Sequence, residues 1–129
     1  MILKEITSNK LEHVNDLLLK NKNRKAIKIL KDILEEDPSN EEAWLFLGIA
    51  YRRINELERA IHCFKMSTEF NPTKIESWGL LVVTYLDLNQ DELAKKVLIE
   101  ACEKNPDDPK LEFYKENLIY VYKKFGPFF

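Results

Sequence analysis

Three Asx-Pro pairs, Asp37-Pro38, Asn71-Pro72 and Asn105-Pro106, recur every 34 residues along the chain. Proline keeps the residue before it out of helical geometry, and Asn or Asp tolerates the exit, so each pair reads as the end of a helix. The same spacing brings Ala26, Ala60 and Ala94 into register, then Trp44 with Trp78, Tyr51 with Tyr85, and Leu30 with Phe64 and Leu98. A fixed period of this length marks a solenoid of helical pairs. One pair cannot bury its apolar face alone, so successive pairs must stack, and stability comes from contacts between neighbours.

Between the stops the apolar pattern is helical. From Glu41 to Ile54, the residues Ala43, Trp44, Leu47, Ala50, Tyr51 and Ile54 fall on one stripe at three-and-four spacing. Leu45, Phe46 and Ile49 lie outside that stripe, so this helix should meet neighbours on several sides. Asn55-Glu56 turns the chain into a second helix, Leu57 to Phe70. The next unit repeats the plan, with helices over about 75–88 and 91–104 around a turn at Asn89-Gln90, and Asp91 as the expected N-cap. Ahead of these, about 8–20 and 24–36 form a first pair; behind them, Asp107-Asp108-Pro109 opens a last helix to about Lys124. The expectation is an all-α fold, an antiparallel helix-pair solenoid. It comprises an N-terminal extension (1–6), three repeats (7–40, 41–74, 75–108), a C-terminal capping helix (109–124) and an aromatic tail (125–129).

Charge and reactive residues narrow the function. A formal charge of −2 argues against grip on a phosphate backbone, which needs a concentrated basic surface, so no nucleic-acid partner is expected. Residues 1–34 do carry eight Lys or Arg against four Asp or Glu, which reads as a solvated lysine-rich helix face. The apolar run at Ile2, Leu3 and Ile6 is too short for a signal-peptide core, and no segment is long enough to span a membrane, so a cytoplasmic protein is expected. Cys63 and Cys102 have neither CxxC spacing nor a companion His, and read as reduced, packed thiols. His13 and His62 are the only histidines, and the three glycines share no phosphate-loop motif. The chain is therefore expected to be no enzyme, with no catalytic residue, metal or cofactor.

These residues resemble the tetratricopeptide repeat, whose 34-residue unit follows a pattern of Trp, Leu-Gly, Tyr, Ala, Phe, Ala and Pro. Unit 41–74 matches at Trp44, Leu47-Gly48, Tyr51, Ala60, Phe64 and Pro72, with Ser67 as the small residue. Unit 75–108 keeps Trp78, Leu81, Tyr85, Ala94, Ala101 and Pro106, with Val82 and Leu98 in the Gly and Phe places. Unit 7–40 keeps Ala26, Leu30 and Pro38, but has Lys10, His13 and Val14 in the Trp, Leu and Gly places, as an end unit that meets water on one side can. Gly48 and Ala60 are expected to let the helices of a pair approach closely. A large side chain at either should cost roughly 1–3 kcal/mol through overpacking.

The resemblance implies a non-catalytic scaffold whose first helices line a concave groove for a peptide or helix of a partner protein. Mapped here, the groove takes Ser8, Leu11, Asn15, Leu18 and Leu19 from the first unit, and Glu42, Leu45, Ile49, Arg52 and Arg53 from the second. The third unit adds Glu76, Gly79, Val83, Leu86 and Asp87, and the capping helix Lys110, Phe113, Asn117 and Tyr120. Leu45, Ile49 and Val83 lie outside the internal stripe; either they form an exposed interaction patch, or the superhelix's curvature or the termini cover them. One use of the fold grips the acidic C-terminal tail of a chaperone through Lys and Asn. Here Leu11, Phe46, Glu76 and Leu80 stand at four of the five places and only Asn15 fits, so that partner is not expected. Arg52 and Arg53 either pair with an acidic residue of an apolar partner or form a solvated helix end. The tail rings Phe125, Phe128 and Phe129, each worth roughly 1.5–3 kcal/mol when buried, should be covered. They dock on the chain's own last helices, or they, or Ile2-Leu3-Ile6, enter the groove of a second copy; the alternative reading is thus a self-assembling homo-oligomer.

Overall fold

The structure, a computed structural model, describes residues 2–126, with the side chain of Phe125 outside the description. Phe128 and Phe129 of the expected tail also lie outside the described residues. Every regular element described is a helix: α1 (Ile2–Leu19), α2 (Asn23–Glu36), α3 (Glu41–Arg53), α4 (Leu57–Phe70), α5 (Ile75–Asp87), α6 (Asp91–Lys104) and α7 (Pro109–Phe125). The expected bounds are met within a residue or so except at the start. There α1 begins at Ile2 and absorbs the expected N-terminal extension, because nothing between Ile2 and Ser8 breaks a helix. None of the described helices is long and apolar enough to cross a membrane.

The turns repeat as faithfully as the helices. Each first helix ends in a left-handed asparagine, Asn21 (φ 59°), Asn55 (φ 63°) or Asn89 (φ 57°), the only non-glycine positive φ values described. After glycine, Asn is the residue that enters this region most readily. The amides of Lys22, Glu56 and Gln90 then reach back to the carbonyls of Leu17, Tyr51 and Tyr85 at 2.8, 2.9 and 2.9 Å. The asparagine amides bond to Leu18, Arg52 and Leu86 at 3.0, 3.0 and 2.9 Å, which completes a Schellman closure. Each second helix in turn stops at the Asx before proline: Asp37, Asn71 and Asn105 share φ near −134°, −142° and −133°. Asp91 is not the expected N-cap. Gln90 holds that place without a side-chain bond, and the Asp91 carboxylate pairs with Lys123 on α7.

Proline and tryptophan form one device. The Trp44 indole N–H donates to the Pro38 carbonyl at 2.8 Å, and Trp78 repeats the bond to Pro72 at 2.8 Å. Each inter-repeat loop is thereby pinned to the helix that follows it. Ser67, completely buried, works within and across repeats: it donates to the Glu41 carbonyl of its own repeat at 3.1 Å, and its hydroxyl lies 2.8 Å from that of Ser77 in the next.

The core runs the length of the array. Consecutive helices pack on each other, and first helices also touch the next first helices: α1 with α3, α3 with α5, α5 with α7. The backbones of the second helices α2, α4 and α6 stay farther apart, with no Cα of one within 8 Å of the next among the described residues, so the array bends with its first helices on the inside. Within the middle pair, a Cβ placed on Gly48 would lie 2.5 Å from Cε1 of Phe64, whose ring is completely buried. The flanking repeats have Val14 with Leu30 and Val82 with Leu98 at these two places, all buried. Gly plus Phe and Val plus Leu hold the same number of side-chain carbons, so the volume between the helices is kept while its source moves from one helix to the other. Gly48→Val should destabilise the protein by about 1–3 kcal/mol. Adding Phe64→Leu should recover most of that loss; a double-mutant cycle by urea unfolding that finds the two changes merely additive would refute the exchange.

Candidate functional site

The inner face is built from α1, α3, α5 and α7, and two cavities lie in the gaps between them. The first, about 350 Å³, sits between α1 and α3 and is lined by Ser8, Leu11, Glu12, Asn15, Glu42 and Phe46. The second, about 630 Å³, sits between α3 and α5 and is lined by Ile49, Arg52, Arg53, Glu76, Leu80 and Asp87, with Asn55 and Leu57 from the turn beyond α3. Both have apolar side chains beside charged ones: Leu11 and Phe46 in the first, Ile49, Leu57 and Leu80 in the second.

The expected groove residues divide into two sets. Leu11, Asn15, Ile49, Arg52 and Arg53 line these cavities. Leu45 and Val83 do not form an exposed patch with Ile49: they are 2% and 0% exposed, and Gly79 is buried with them. The cause is the contact between neighbouring first helices, which consumes the face that an isolated pair would present. On α7, Phe113 is 60% exposed, and the Asn117 side-chain amide donates to the Phe113 carbonyl at 2.9 Å. Phe113 and Asn117 line neither inner cavity. Glu12, Phe46, Leu57 and Asn55 were absent from the expected groove. A register signal exists for Phe46, which stands one residue more than a repeat beyond Leu11.

That register also governs the polar contacts of the inner face. Arg53 Nη1 donates to the Leu18 carbonyl at the end of α1 at 2.6 Å. Arg52 Nε donates to Asp87 Oδ2 at 2.9 Å, and the Tyr122 hydroxyl donates to Asp87 Oδ1. Each bond spans 35 residues, and together they tie α1, α3, α5 and α7 into one ladder. Arg52 is neither the solvated helix end nor the free partner for an acidic ligand that the sequence offered as alternatives, whereas Arg53 stays exposed at the end of α3. Arg53 caps a helix C-terminus, where the macrodipole favours a cation, and Arg52 is neutralised by Asp87.

The second-helix side has its own cavities, about 620 Å³ beside Trp44, Tyr51, His62 and Cys63, and about 390 Å³ one repeat on, beside Trp78 and Val97. Burial pushes the Cys63 thiol up to about 12, so it packs as an apolar group and offers no thiolate. Among the described residues, no group of three His, Cys, Asp or Glu is placed to hold a metal ion.

Tyr122 carries the ladder's pH dependence. Burial, reinforced by its hydrogen bond to Asp87, pushes the phenol up to about 12 against an ordinary value of 10.0. The folded state therefore favours the protonated phenol, and its contribution to stability is complete below pH 10 and lost as pH rises through about 12. Alkaline absorbance titration should show a late tyrosine step near pH 12 that Tyr122→Phe removes. If the late step survives that substitution, the ladder is not what holds the proton.

Comparisons with known proteins agree with this geometry. A family model described as tetratricopeptide repeat matches residues 17–76, and a second of the same description matches residues 75–108. No curated protein sequence matches significantly. Among solved structures, the chain is similar to one in the CopN-Scc3 complex, with TM-score 0.78 and 17% identity over 91% of this chain and 69% of that one. It is also similar to the Yersinia enterocolitica type III secretion translocator chaperone SycD, solved as an alternative dimer, with TM-score 0.77 and 15% identity over 94% of this chain and 96% of that one. The first TPR of Spaghetti (RPAP3), bound to the HSP90 peptide SRMEEVD, superposes with TM-score 0.73 and 17% identity over 91% of this chain and 93% of that one. At these identities the likeness is one of fold.

Proposed function

The chain belongs to the tetratricopeptide repeat family, and we propose that it serves in the cytoplasm as a non-catalytic scaffold that receives an apolar peptide or helix of a partner protein along its inner face. The observation that carries this reading is the pair of cavities in successive gaps between first helices, with Leu11, Phe46, Ile49 and Leu80 among their lining. Apolar surface in a preformed concave site supplies affinity without the cost of ordering a loop.

The acidic-tail clamp is not supported. Four of the five places where such a clamp needs Lys or Asn are Leu11, Phe46, Glu76 and Leu80, and these side chains line the cavities. Leucine offers a carboxylate no hydrogen bond, and Glu76 repels it.

A second reading, self-association, is favoured by one observation. At the N-terminal end of α1, Ile2 is 75% exposed, Leu3 58% and Ile6 44%, three apolar side chains within five residues. A second copy offers one way to cover them.

Two measurements separate the readings. Used as bait, the chain should lose its captured proteins on Ile49→Asp and on Phe46→Ser, each with an unchanged circular dichroism spectrum, and keep them on Lys65→Glu beside an outer cavity. Equal loss from all three, or from none, counts against the groove. Sedimentation across a concentration range should show a monomer; a dimer that Ile2→Ser with Leu3→Ser dissociates would instead favour self-association.

A further inference from the structure

We propose that the segment held on the inner face carries Lys or Arg among its apolar residues, an inference that rests on the groove reading above. The charges of the two cavities are unequal in a way their composition hides. Arg52 and Arg53 line the larger cavity, but Arg52 is committed to Asp87 and Arg53 to the Leu18 carbonyl. The carboxylates are not matched. Glu12 and Glu42 line the smaller cavity and Glu76 the larger, all three exposed and with no hydrogen bond or ion pair to any described residue. A carbonyl does not neutralise Arg53, but three glutamates outnumber that one cation, so the inner face presents an apolar floor and an excess of negative charge concentrated at Glu12 and Glu42, the reverse of a site for an acidic tail.

Helix stability does not account for all three. Glu42 and Glu76 sit in the first turns of α3 and α5, where the macrodipole favours an acid. Glu12 lies in the middle of α1, has no such benefit, and stands four residues from Asp16, a like-charge spacing that weakens a helix. Its cost is recovered when a cation arrives. Glu42 and Glu76 occupy the same place in successive repeats on touching helices, whose axes lie roughly 8–10 Å apart. An extended segment advances about 3.3 Å per residue, so basic residues two or three apart would meet both. The apolar floor supplies affinity, and the acids select the partner and speed its approach.

The test is a displayed random-peptide library selected on the full chain, with the selected peptides then synthesised and measured by fluorescence anisotropy. Peptides combining apolar residues with Lys or Arg are expected. Their affinity should vanish with Ile49→Asp, fall roughly tenfold with Glu42→Gln plus Glu76→Gln, and weaken as salt is raised. Peptides that depend on Ile49 but are acidic or uncharged, or that ignore the glutamine changes, overturn the inference and leave the groove standing. Peptides resembling residues 2–6, where Lys4 stands among Ile2, Leu3 and Ile6, support the inference and name a second copy as the source of the segment. If no selected peptide responds to Ile49→Asp, the groove reading fails and takes the inference with it.

Discussion

Closer approach between neighbouring first helices than between neighbouring second helices is the constraint on which the shape of this protein depends. A stack whose members approach more closely along one edge must curve toward that edge. The curvature brings α1, α3, α5 and α7 together and leaves the cavities between them. It also decides which apolar residues remain available to a partner. Leu45 and Val83 are consumed in holding the curve, whereas Phe46 and Ile49 are only partly covered.

The polar ladder from Leu18 through Arg53, and from Arg52 through Asp87 to Tyr122, reinforces the same edge. Its members are partly buried, so each bond forms where water competes less than at an open surface. Asp87 is central because it accepts from two helices at once. The ladder also sets the electrical character of the inner face, since it pairs Arg52 with Asp87 and leaves three glutamates against the single cation of Arg53.

Much of this was legible in the sequence. Period, proline stops and apolar spacing located every helix, because each of those signals acts within a few residues. What stayed hidden depends on how one repeat meets the next. Leu45 and Val83 looked like groove residues because they fall outside the stripe that packs within a pair; only the neighbouring first helix explains their burial. The pairing of Arg52, Asp87 and Tyr122 was hidden because their bonds skip one residue beyond the repeat, so no column of the repeat pattern contains two of them. The early start of α1 was hidden because residues 1–6 lie ahead of the 34-residue register, although a helix requires only that nothing break it.

The bond from each tryptophan to the proline carbonyl has a consequence for how such chains change length. Because donor and acceptor are six residues apart, every junction is specified by a short local stretch. Excision of 41–74 would join Asn40 to Ile75 and leave Pro38 six residues ahead of Trp78, the separation found at both present junctions. The unit behaves as a cassette: recombination can delete or duplicate it without redesigning the seam, and lineages can lengthen or shorten the inner face while keeping its chemistry.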